Sequence, residues 1–155
     1  MKYTKEEEIH NLVVAFEDAS VARDVWKHAE HLVVALFYVD KYGTETGTDK
    51  MRMGLFNLLT KGFGVDLAKE MPYHETMTVF WMRAVADFSA SKNGTSLLDK
   101  TNELVEAYDK DYPLRFYSRE LLFSDGARAE FVEPDLDDSK KKATGGGRLA
   151  DKKTE

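Results

Sequence analysis

Three of the four histidines in this 155-residue chain fall in two short stretches, Trp26-Lys27-His28-Ala29-Glu30-His31-Leu32 and Pro72-Tyr73-His74-Glu75-Thr76. On a helix, residues three apart project from one face, so His28 and His31 point the same way. Two imidazoles at that spacing, with a His-Glu pair elsewhere, form a donor set that suits a divalent first-row metal such as iron, copper, manganese or zinc. His28, His31 and His74 are the candidate ligands. Glu75 sits about 100° further around an ideal helix than His74. It serves as a fourth ligand, as a general base, or as a carboxylate that orients one of the rings. A metal with one open position would activate water or bind a substrate or dioxygen. His10, beside Glu6 and Glu7, is expected to face solvent.

The residues around these ligands suit a closed pocket. Tyr73 directly precedes His74 and is a candidate proton donor. Thr78 and Trp81 follow His74 at one and two helical turns, and Tyr38 lies two turns beyond His31. Arg52 is the odd charge on a helix face carrying Met51, Met53, Leu55 and Phe56. It would receive a carboxylate or phosphate of a substrate, or pair with an internal acid such as Glu17. Large aromatics also fill cores, and that is the simpler account of Trp81.

These residues need helices to hold them, and the dominant period is helical. Ile9, Leu12, Val13 and Phe16 predict a first helix over roughly residues 5–17. Asp18-Ala19-Ser20 reads as a break, with Ser20 as cap of a second helix over 21–42 that stops at Gly43. Gly43 to Gly47 reads as a loop, after which Thr48 or Asp49 caps a third helix through Lys61. Pro72 suits the first turn of a fourth helix reaching Ala90. Ser96 caps a fifth through about Lys110, and Ser118 and Ser124 cap short helical turns. No stretch alternates like a strand. The expected fold is an all-α, single-domain bundle of four main helices plus short C-terminal turns, over residues 1–134. Residues 135–155, with Gly145-Gly146-Gly147 and mixed charge, read as a disordered polar tail.

Composition narrows the function. The net charge is −6 and the surplus acid lies outside the tail, a sign that repels phosphate backbones and argues against nucleic acid. Lys140-Lys141-Lys142 is too short a basic cluster to reverse this. There is no cysteine, which excludes disulfides, thiolate metal sites and a cysteine nucleophile. No run approaches the about 18 apolar residues of a membrane span, and the opening Met1-Lys2-Tyr3-Thr4-Lys5-Glu6-Glu7-Glu8 is too acidic for a signal peptide. A cytoplasmic location is expected. Gly43 to Lys50 lacks the Gly-Lys-Ser/Thr spacing of a phosphate loop. A di-iron carboxylate site would need two Glu-x-x-His motifs, against the single Glu7 to His10 pair.

The two histidine stretches, Met51-Arg52, Tyr73-His74-Glu75-Thr76-Met77-Thr78 with Trp81, and the block Pro113-Leu114-Arg115-Phe116-Tyr117-Ser118-Arg119-Glu120 ending in Val132-Glu133-Pro134-Asp135-Leu136 together resemble a family of small bacterial proteins. The family has Thr where this chain has Lys27, so a hydroxyl role there does not carry over. The resemblance implies that His28, His31, His74 and Glu75 belong to one site, and it implies no particular reaction.

The expectation is a metal-dependent enzyme acting on a small-molecule substrate, with a lean to a non-heme oxidoreductase because no second carboxylate or serine suggests a hydrolytic apparatus. A zinc-dependent hydrolase or transferase is the second reading. A metal-free helical ligand-binding or interaction protein, its histidines hydrogen-bonded in the core, is the third. Apolar helix faces left over from the bundle would also suit a homodimer.

Overall fold

Acidic residues start the first helix. Glu6, Glu7 and Glu8 occupy the first turn of α1 (Glu6–Glu17), where carboxylates complement the helix dipole. Glu8 Oε1 accepts the Thr4 and Lys5 N–H groups at 2.8 and 3.1 Å. The apolar stripe Ile9, Val13 and Phe16 is buried. This comes from a computed structural model that describes residues 3–136; of the tail expected over residues 135–155, residues 137–155 lie outside the described residues. Among the described residues all regular structure is helical, and no strand is present.

The described residues divide into two compact units, residues 3–73 with 81–109, and residues 74–80 with 110–136. The first unit holds α1, α2 (His28–Tyr42), α3 (Thr44–Asn57) with a π-turn at Leu58–Gly62, and α5 (Leu97–Ala107). Helix α4 (Glu75–Ala90) contributes Trp81–Ala90 to it. Phe16, Leu32, Leu36, Tyr38, Met51, Leu58, Met82 and Leu104 form its core.

Three expected helix starts shift. Helix α2 begins at His28 and not near residue 21, because Val25 and Trp26 N–H bond back to the Ala22 carbonyl in a turn. The Glu30 carboxylate then accepts the Lys27 N–H at 3.1 Å, so Lys27 and not Ser20 precedes the helix. Gly43 alone separates α2 from α3, at φ 85°, a left-handed value that glycine adopts without strain. The expected loop over 43–47 is instead the first turn of α3. Gly47 is buried there because a Cβ would sit 3.1 Å from the Tyr38 carbonyl oxygen, so it permits close approach of α2 and α3. Helix α4 starts at Glu75, after Pro72 rather than at it.

The expected serine caps are present. Ser96, Ser118 and Ser124 hydroxyls accept the N–H of Asp99, Leu121 and Ala127. The second unit contains Glu75–Phe80 of α4, a 3₁₀ turn at Tyr112–Arg115, α6 (Arg119–Leu122) and α7 (Asp125–Ala129). An extended segment follows and is held by hydrogen bonds. Tyr117 Oη donates to the Val132 carbonyl (2.6 Å), and the Leu136 N–H donates to the Phe116 carbonyl (2.9 Å). Asp135 accepts both the N–H and the hydroxyl of Ser118, each at 2.7 Å, so Asp135 and Leu136 are ordered parts of this unit.

Candidate functional site

His28 and His31 share the first turn of α2, as their spacing requires. His28 Nε2–H donates to the Tyr108 carbonyl at 3.0 Å, and its ring packs on Trp81 with centroids 4.9 Å apart. That bond uses Nε2 and leaves Nδ1 outside it. His31 lies against Trp26, centroids 5.2 Å apart. Burial, reinforced by the neighbouring His28, pulls the His31 pKa down to about 4, so its ring is neutral at pH 7.

In the second unit, His74 is the residue before α4. Its Nδ1 accepts the Met77 N–H at 3.2 Å, the third amide of the helix, and so acts as an N-cap. Its Nε2–H donates to the Leu122 carbonyl at 2.6 Å. Both ring nitrogens are occupied, and the neutral Nε2–H tautomer is the one that makes both bonds. Burial and the charge of Arg128 lower its pKa, against the opposing effect of the Leu122 carbonyl. Coordination of a metal by His74 would require one of these backbone bonds to open. The residues present therefore do not fit a three-histidine metal centre in this conformation. Among the described residues, no group of three or more His, Asp or Glu side chains is arranged to hold a metal ion.

The other candidates have structural partners. Tyr38 is buried and its hydroxyl donates to Glu17 Oε2 at 2.8 Å; burial and that carboxylate push its pKa up. Tyr73 is buried with its ring on Phe56, centroids 4.5 Å apart. Arg52 pairs with Asp49 on its own helix at 2.8 Å. Thr78, also buried, bonds back to the His74 carbonyl at 3.0 Å. Trp81 is half-buried between His28 and Tyr108. Glu75 is half-buried in the first turn of α4.

One polar cluster lies outside every expected set. Lys100 of α5 places Nζ 3.0 Å from Asp40 Oδ2 of α2 and 3.0 Å from Ser89 Oγ of α4, while Ser89 Oγ donates to Asp40 Oδ1. Lys100 and Ser89 are buried. Thr101, next in α5, keeps a buried hydroxyl with no hydrogen-bond partner among the described residues. A sequence signal for the cluster exists. Each of the three falls on an apolar stripe: Asp40 after Val33 and Leu36, Ser89 after Met82 and Val85, Lys100 between Leu97 and Leu104. A polar residue at such a position needs an internal partner. Read singly, none stands out.

No family model, no curated protein and no solved structure matches the chain. Among the described residues, no helix is long and apolar enough to cross a membrane.

Proposed function

We propose that this chain is a metal-free helical binding or interaction protein whose histidines serve the fold. The observation that carries the reading is the commitment of His74: Nδ1 to the Met77 amide and Nε2–H to the Leu122 carbonyl. The bond from His28 to the Tyr108 carbonyl supports it. An imidazole bonded to backbone through both nitrogens, as at His74, positions chain segments and has no lone pair left for a ligand. The partner is a small molecule or a second copy of the chain, and not nucleic acid, given the acidic balance.

A metalloenzyme is the second reading, and one observation favours it. His28 is bonded to backbone through Nε2 and not Nδ1, one turn from His31, which is neutral at pH 7, so α2 offers a divalent ion two imidazoles. Metal analysis separates the two. Protein made without a histidine tag is measured by inductively coupled plasma mass spectrometry beside His28→Ala, before and after titration with iron, copper, manganese and zinc salts. The proposal expects no stoichiometric metal in either. Near-stoichiometric metal that disappears in His28→Ala overturns it and selects the enzyme.

A further inference from the structure

At the start of α4 the His74 ring joins two backbone groups of the second unit that belong to different elements. It accepts from the Met77 amide, in the first turn of α4, and donates to the Leu122 carbonyl, at the end of α6. The chain beyond Leu122 returns to the same turn. Thr76 Oγ1, fully buried, donates to the Glu130 carbonyl at 3.0 Å and accepts the Val132 N–H at 3.1 Å. The extended segment is thus fastened to α4 beside the His74 bridge. Proton transfer to Nδ1 removes the acceptor for Met77 and places a positive charge at a helix N-terminus, where the dipole opposes it.

We propose that His74 is a proton-operated latch: protonation opens its cap on α4 and loosens α6, α7 and the extended segment through Leu136, while the first unit stays folded. The inference rests on the two bonds of the ring and is independent of what the protein binds. The charged neighbours favour release. Arg128 of α7 acts on the ring with the same sign as an imidazolium. Helix α6 meets it with the uncharged Leu122 carbonyl, and the Phe123 ring edge lies with its centroid 6.5 Å away. Glu75, the next residue along α4, is the nearest acid in sequence. Asp135 of this unit is held below the usual carboxylate value by its bonds to Ser118, so it titrates in a lower pH range.

The direction follows from linkage. His74 has a folded-state pKa below its ordinary 6.5, so the latch contributes fully above pH 6.5 and is lost as pH falls from there through the folded value. Within that window the opening constant rises about tenfold per pH unit. Amide hydrogen exchange on the full chain, corrected for intrinsic rates between pH 7.5 and 5, reads it segment by segment. Wild type is expected to lose protection over residues 119–132 as pH falls, with no matching loss in α5. His74→Asn retains a capping oxygen for Met77 without a titrating ring, and is expected to show protection there that does not change with pH. Nitrogen-15 spectra of wild type supply a check that needs no variant: His74 must be the neutral Nε2–H tautomer at pH 7.5. Flat wild-type protection, an unchanged pH response in His74→Asn, or an Nδ1–H ring at pH 7.5 would each overturn the latch.

Discussion

The two units of this molecule are held together by different kinds of interaction. In the first, helices bury apolar side chains against one another, and a buried charge, Lys100, meets Asp40 and Ser89 from two other helices. In the second, few residues are fully buried, and side chains bond to backbone: His74 to Leu122, Thr76 to Glu130 and Val132, Tyr117 to Val132. Apolar burial is spread over many contacts, and a truncation there costs in proportion to the atoms removed and the cavity left. Losing a side chain that satisfies a buried carbonyl or amide costs more than its own atoms, because it leaves the backbone group unpaired. The second unit should therefore be disproportionately sensitive to changes of one or two polar atoms.

The largest loss is expected where the first unit departs from its own pattern. Lys100→Met leaves Asp40 facing Ser89 alone. Breaking a buried pair costs about 3 kcal/mol, toward the low end of the range because the Asp40 side chain keeps 28% exposure. Urea denaturation measures it, and Asp40→Asn combined with Lys100→Met should recover part of the loss. A variant as stable as wild type would mean that the first unit is held by apolar burial alone.

A pH-dependent effect belongs to His31. Its folded pKa of about 4 lies below the ordinary 6.5, so the unfolded chain binds more protons in between. Stability is full above pH 6.5, falls from pH 6.5 toward 4, and then levels. His31→Leu should flatten that part of the stability–pH curve, as followed by denaturant midpoints. A slope unchanged in the variant would assign it to other groups.

Thr76→Val is the matching test of the second unit. It is nearly isosteric, yet it strands the Glu130 carbonyl and the Val132 amide, for about 2 kcal/mol. Hydrogen exchange should place the loss in residues 119–136; a loss spread evenly over α1 and α2 would contradict the contrast between the units. The smallest effect expected is that of Ser96→Ala, about 1 kcal/mol for one N-cap in the first unit, read from the thermal midpoint.

Legibility in the sequence follows the same division. The stripe Ile9, Val13, Phe16 and the caps at Ser96, Ser118 and Ser124 are local signals, and they read correctly. The start of α2 is not legible, because the apolar Val25 continues the helical period one turn too early. Only the turn onto the Ala22 carbonyl reveals the true boundary. Gly47 looked like a loop residue because a glycine that admits a neighbouring helix and one that terminates its own are identical in sequence. For the candidate site, the pairing of His28 with His31 on one helical face is local and was readable. The partners of the rings were not: Tyr108 lies 80 residues from His28, and Leu122 lies 48 from His74.

What the sequence determined by itself is the helical class, the caps and which side chains share a face, since these depend on neighbours within about one turn. Tertiary structure decided what the polar side chains do. A histidine has two nitrogens and three protonation states, and its role depends on which backbone or side-chain groups fold against it. At His74 those groups are an amide three residues on and a carbonyl brought back from α6, which turn a ligand-like motif into a structural bridge.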